Sequence, residues 1–170
     1  MHQTENCTPA ELEQVMARYG NTVYRLAYAQ TRSRADADDI YQEVFLRYFR
    51  KRPVFESEEH RKAWLLRVTV NRAKSHFASA WFRHTVPLEE CDGFAAPEER
   101  LLDEAMDVLR PGDRQLLHLF YYEQLSVREI SGLLNRKEST VRTQLTRARQ
   151  RLGKLLKGEM NDEENLSEHE

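Results

Sequence analysis

The chain is poor in the features that would announce an enzyme, a secreted scaffold or a membrane protein. It has two cysteines in 170 residues, Cys7 and Cys91. They form neither a disulfide framework nor a metal-ligand spacing, so free thiols in a reducing compartment are expected. Six histidines are scattered without a ligand-like pattern. No apolar run approaches the roughly 20 residues that a membrane span requires. The N-terminal MHQTENCTPAELEQ has no basic-plus-apolar start, so no secretory signal is expected. No stretch alternates long enough to argue a sheet, and there is no internal repeat. These absences leave an all-α chain, expected in the cytoplasm, with no metal, no cofactor and no small-molecule substrate.

The formal net charge of −2 is small only because opposite blocks cancel. Residues 9–85 hold 14 Lys/Arg against 9 Asp/Glu, and residues 105–157 hold 11 against 5. Between and after them lie acidic stretches: residues 86–104 carry 7 acids against 1 Arg, and residues 158–170 carry 6 acids. Two basic blocks with an acidic spacer suggest two nucleic-acid-facing modules on a tether. The segment VPLEECDGFAAPEER, residues 86–100, combines two prolines, a glycine and five acids and reads as a linker. Residues 1–8 and the tail 158–170 are low in apolar residues and expected to be disordered.

Helical periodicity fills the rest, at about 9–32, 36–52, 59–83, 98–109, 112–122, 126–134 and 139–157. Asp113 is placed to cap the fifth of these helices. The last two carry the strongest signal, LSVREISGLLNRKESTVRTQLTRARQRL at 125–152. Ser126 with Glu129 forms a capping box. Gly132 is small enough to allow close helix approach, and Ser139 is placed to cap the second helix. From there Val141, Leu145, Ala148 and Leu152 recur on one face. Arg142, Thr143, Thr146, Arg147, Arg149 and Gln150 fall on the other, with the groups that reach phosphates and major-groove base edges. Caps, turn and basic face together indicate a DNA-binding helix-turn-helix rather than an ordinary hairpin with a solvated face.

Two further constellations lie in the first block. In ADADDIYQEVFLRYF, Ala37, Ile40, Tyr41, Val44, Phe45, Tyr48 and Phe49 make an apolar face. Asp36, Asp38, Asp39, Gln42 and Glu43 sit where the helix dipole favours acids. That side is a solvated helix start, a docking surface for a basic or mixed partner, or, on residue type alone, a metal site lacking its completing ligands. In EEHRKAWLLRVTVNRAKSHFASAWFRH, Trp64, Leu65, Val68, Val70 and Phe77 pack inward. Arg61, Lys62, Arg67, Arg72, Lys74 and Arg83 form a basic surface interleaved with Asn71, His76, Trp81 and Phe82. Basic groups alternating with aromatics suit single-stranded or opened DNA.

Taken together, three blocks resemble the extracytoplasmic-function (ECF) sigma factors, the small bacterial promoter-specificity subunits of RNA polymerase. DADDIYQEVFLRYF resembles their segment that docks on core polymerase. AWLLRVTVNRAKSHF resembles the one that melts and reads the −10 element, and the helix-turn-helix resembles the −35 reader. The match spans roughly residues 9–156.

The resemblance implies a region 2 helical bundle over 9–85, a linker over 86–100 and a region 4 helix-turn-helix over 101–157. It assigns Asp38, Asp39, Gln42, Glu43 and Phe45 to core polymerase. Phe55, Asn71, Arg72 and Lys74 would lie at the −10 element. Arg142, Thr143, Thr146 and Arg147 would read the −35 element, with Arg149 holding phosphate. It also implies an anti-sigma factor as partner, and no catalysis. The loop VFESEEH departs from the family pattern in lacking an Arg-Gly after its aromatic, and Thr146 stands where a bulkier residue is common. A stand-alone dimeric helix-turn-helix regulator, or a nucleic-acid enzyme using Asp38, Asp39 and Glu43, would share single features of this pattern.

Overall fold

The computed structural model describes residues 7–80 and 97–158, with side chains at 80 and 97–100 excepted. The chain divides into two compact units, Met1–Glu89 and Glu90–Glu170. All regular structure among the described residues is helical.

The first unit packs three long helices. Helix α1, Pro9–Thr31, starts from a complete capping box. The Glu11 N–H donates to Thr8 Oγ1 at 3.2 Å, and the Thr8 N–H donates to the Glu11 carboxylate at 2.8 Å. Pro9 occupies a first-turn position whose missing N–H costs nothing. Ser33 caps α2, Arg34–Lys51, by accepting from the Asp36 N–H, so the helix starts two residues before the expected 36. Helix α3 spans Glu58–Ala80. Val23, Leu26, Ile40, Val44, Leu65 and Leu66 are the largest side chains fully enclosed here. Each contributes about 1.5–3 kcal/mol by leaving water. Phe77, expected to pack inward, is instead 36% exposed. It lies in the last turn of α3, one turn past Ala73, the final α3 residue of the core cluster.

The second unit is built from shorter pieces: α4 Pro97–Val108, α5 Pro111–Leu117, α6 Val127–Leu134 and α7 Glu138–Leu156. Its core is Ala105, Leu109, Leu116, Leu117, Leu119, Ile130, Leu133, Val141, Leu145 and Ala148. Arg114 is buried and donates to the carbonyls of Met106 and Leu109, satisfying acceptors left open at the end of α4.

Three expectations fail in α5, the turn after it and α6. Asp113 is no cap: α5 begins at Pro111 after Arg110, and Asp113 is a buried first-turn residue. The helix expected over 112–122 changes register at His118, and His118–Tyr122 is one π-helical turn closed by the Glu123 N–H on the His118 carbonyl. Gly132 allows no close approach, because a methyl group added there would meet nothing within 4 Å.

Candidate nucleic-acid interface and docking surface

The helix-turn-helix is assembled from local chemistry. Ser126 Oγ accepts from the Glu129 N–H at 3.1 Å, and the Ser126 N–H donates to Glu129 Oε2 at 2.7 Å. Ile130 and Leu133 are the buried face of α6. Asn135 ends the helix at φ 53°, a left-handed conformation that Asn tolerates better than most residues. Ser131 then fastens the turn twice: its carbonyl accepts from the Arg136 N–H, and its hydroxyl donates to the Arg136 carbonyl. The second helix begins one residue earlier than expected, with Lys137 as cap residue and no side-chain cap bond. Ser139 therefore lies inside α7 with its side chain exposed.

Val141, Leu145 and Ala148 are buried, which presents Arg142, Thr143, Thr146, Arg147 and Arg149 to solvent. The two threonines are partly spent on their own helix. Thr143 Oγ1 donates to the Ser139 carbonyl at 3.0 Å, and Thr146 Oγ1 donates to the Arg142 carbonyl at 2.9 Å. Each then offers outward a methyl group and an acceptor oxygen. Those groups suit a thymine methyl, or an amino group of adenine or cytosine, better than a phosphate. Arg142 lies 3.7 Å from Glu138 in an exposed i,i+4 pair that contributes little stability. Arg149 differs from the expectation. Its guanidinium lies over the rings of Phe120 (4.7 Å) and Tyr121 (5.3 Å), both presented by the π turn.

In the first unit the acidic turn of α2 divides in two. Asp36 Oδ1 accepts from His76 Nε2 at 2.9 Å, tying α2 to α3. Asp38, Asp39, Gln42 and Glu43 are exposed and, at these spacings, form one strip along the helix. Phe45 does not belong to that strip. It is 3% exposed and packed in the core with Tyr41, ring centroids 4.8 Å apart. It holds the helix in place and offers no surface to a partner.

Along α3, Asn71 and Lys74 are exposed and Arg72 is half-buried. Phe55 is half-buried against Trp64 (6.0 Å) and Tyr48 (6.2 Å), with the Arg61 guanidinium 5.5 Å from its ring centroid. Trp64 and Asn71 are seven residues apart, about 10 Å along the helix and nearly on one face. Asn71 thus lies about two turns of α3 past Trp64, the residue against which Phe55 packs. Arg61 leaves the expected basic surface, since it pairs with Glu58 at 2.8 Å and covers Phe55. Trp81, Phe82, Arg83 and Cys91 fall outside the described residues.

Glu58 is the hub of a smaller network. Tyr19 Oη donates to Glu58 Oε2 at 2.6 Å, and Arg18 lies 3.5 Å away. The tyrosine's hydrogen bond, helped by the two arginines, holds the Glu58 carboxyl below its ordinary value. Burial and the bond to Glu58 push the Tyr19 phenol up. Cys7 is free and half-buried, and burial raises its thiol above the ordinary range. No group of three or more His, Cys, Asp or Glu among the described residues could hold a metal ion. No helix among them is long and apolar enough to cross a membrane.

Comparison with known families assigns both units. Residues 15–83 match Sigma-70 region 2, and residues 99–152 match Sigma-70 region 4. The chain belongs to the sigma-70 family, in its ECF branch. ECF RNA polymerase sigma factor BldN of Streptomyces coelicolor is 29% identical over 152 residues, covering 82% of this chain and 58% of BldN. SigM of Bacillus subtilis, another ECF sigma factor, is 27% identical over 167 residues, covering 89% of this chain and 99% of SigM. The probable sigma factor RfaY of Xanthomonas campestris is 29% identical, with 40% of its length covered. The chain thus spans little more than half of BldN and less than half of RfaY.

Among solved structures, sigma factor RpoE, in complex with anti-sigma factor NepR from Bartonella quintana, superposes with a TM-score of 0.72 at 19% identity. The superposition covers 88% of this chain and 99% of RpoE. CnrH, in complex with the cytosolic domain of CnrY, gives 0.67 at 20%, covering 93% and 95%. At these identities the likeness is one of fold.

Proposed function

We propose that the chain is a promoter-specificity factor that joins core RNA polymerase and directs it to its promoters. The carrying observation is the exposed row Arg142, Thr143, Thr146 and Arg147 on a helix whose opposite face is buried. That row, presented by a helix-turn-helix, has the donors, acceptors and methyls of a −35 reader.

In this reading Asp38, Asp39, Gln42 and Glu43 dock on core polymerase. Asn71 and Lys74 contact the opened −10 element, with Arg72 and Phe55 supporting the same face. Region 2 occupies residues 9–85, region 4 occupies 101–157, and 86–100 tethers them. Two weak modules on a tether gain affinity by effective concentration once polymerase holds them at promoter spacing. The chain performs no chemistry itself, acts in the cytoplasm with the polymerase and needs no cofactor. The structural relative RpoE carries the anti-sigma factor NepR, and this chain is proposed to have such a partner too.

In vitro transcription with bacterial core polymerase, with and without the protein, tests the reading on the DNA upstream of its own coding sequence. A specific run-off product requiring both proteins is expected. No transcript together with failure to bind core enzyme would overturn it in favour of a stand-alone dimeric regulator. Core binding without transcript would call for promoter fragments selected from genomic DNA, and failure on those too would overturn it.

A further inference from the structure

A helix lying in the major groove has its outer face toward the bases and its two flanks toward the two phosphate strands. Helix α7 can be divided that way at about 100° per residue. Thr143 and Gln150 lie opposite the buried row. Arg142 and Arg149 fall on one flank, Gln144 and Arg151 on the other. The first flank carries two exposed cations, Arg142 and Arg149. The second has lost its own, because Arg151 donates to Asp113 at 2.9 Å and is drawn back toward α5. A different residue supplies the charge there. Arg136, in the turn before α7, is exposed and donates through NH1 to Gln144 Oε1 at 2.9 Å.

We propose that Arg136, braced by Gln144, is a phosphate contact on the groove wall opposite Arg142. The inference rests on the reading of α7 as the recognition helix. Three features carry it. The backbone of Arg136 is fixed on both sides by Ser131, so its side chain leaves from a defined point. A guanidinium only donates, so the Gln144 oxygen must face it, which turns the Gln144 amide hydrogens outward as a second donor. The two side chains together form a fork of donors suited to a phosphate's oxygens, and one guanidinium edge stays free. The expected phosphate holder, Arg149, has its guanidinium over the Phe120 and Tyr121 rings instead.

The test uses the full chain and a short fluorescein-labelled duplex selected by it from a random pool, with a scrambled duplex beside it. Binding is followed over a salt series. Arg136→Ala is expected to weaken both duplexes equally and to lower the slope of log affinity against log salt by about 0.9, one phosphate. Arg136→Lys should keep the slope. Gln144→Ala should keep most of it while affinity falls about two- to fivefold, one surface hydrogen bond. Arg147→Ala is the control and should erode the preference for the selected duplex. An unchanged slope in Arg136→Ala, with Arg147→Ala still losing discrimination, overturns the phosphate contact and leaves the recognition helix standing. A slope change in Lys137→Ala but not Arg136→Ala overturns it too. Failure of the selection, or no effect from Arg147→Ala, removes the recognition-helix reading and this proposal with it.

Discussion

Asp113, in the first turn of α5, accepts a 2.9 Å hydrogen bond from Arg151, 38 residues later in the C-terminal half of α7. Side chains at both ends are largely shielded, 12% and 28% exposed. The bond joins α5 to α7, so it fixes the helix that carries the row proposed to face DNA against the scaffold behind it.

Asp113→Ala is expected to destabilise the second unit by about 1–3 kcal/mol, because it removes a partly shielded, charge-assisted hydrogen bond between α5 and α7. Hydrogen exchange in the full chain reads this directly. Amides of α5 and α7 should exchange faster while those of α1–α3 keep their protection. Unchanged protection in α7 would mean that hydrophobic packing alone orients the helix.

Gly132→Ala should stabilise the protein. The site is an exposed helical interior with nothing within 4 Å of the added methyl group. Relative to alanine, glycine costs a helix about 0.5–1 kcal/mol there. The melting temperature of the second unit should rise by a few degrees, as a unit of this size permits. A fall would reveal a steric or functional demand for glycine at that turn.

The Tyr19–Glu58 bond carries a definite pH dependence. The folded carboxyl is held below its ordinary value, chiefly by the tyrosine hydrogen bond. Its contribution to stability is therefore complete above the unfolded carboxyl's pKa and is lost as pH falls through the folded one. The phenol is shifted the other way, so its contribution holds below its ordinary value and is lost as pH rises through the raised one. Tyr19→Phe should move the Glu58 carboxyl back up, read by NMR titration of that side chain. A titration unchanged in the variant would assign the shift to Arg18 and Arg61 instead.

What could be read from the sequence follows the range of the interaction. The helices and the Ser126–Glu129 box depend on neighbours three or four residues away, and periodicity reports them well. The partition of α7 into a buried row and an exposed row was legible for the same reason. Asp113 and Ser139 have the residue type of a cap, but capping also depends on where the helix starts. Pro111 starts α5 two residues ahead of Asp113, and α7 starts at Glu138. The stack of Arg149 depends on a π turn that no local pattern marks. Phe45 sits one residue past Val44 on a helix whose apolar face is broad enough to bury both. Spacing placed it on that apolar face and the family resemblance assigned it to the docking set; its burial in the three-helix core agrees with the spacing.

The two surfaces proposed to face DNA lie in separate units, and separate units can be disabled separately. Arg147 is exposed on α7 and Asn71 is exposed on α3. If Arg147 makes a bidentate base contact, Arg147→Ala should cost about 1–3 kcal/mol of duplex −35 binding. Once polymerase is saturated onto the promoter, the strand opening that follows should be nearly normal. Asn71→Ala should do the reverse, sparing duplex binding and reducing the reactivity of unpaired −10 thymines to permanganate. Neither exposed side chain supports the core, so both variants should melt as the parent does. Equal loss of both activities in both variants would mean that the units act as one body on the promoter, and the division of labour proposed for them would fall.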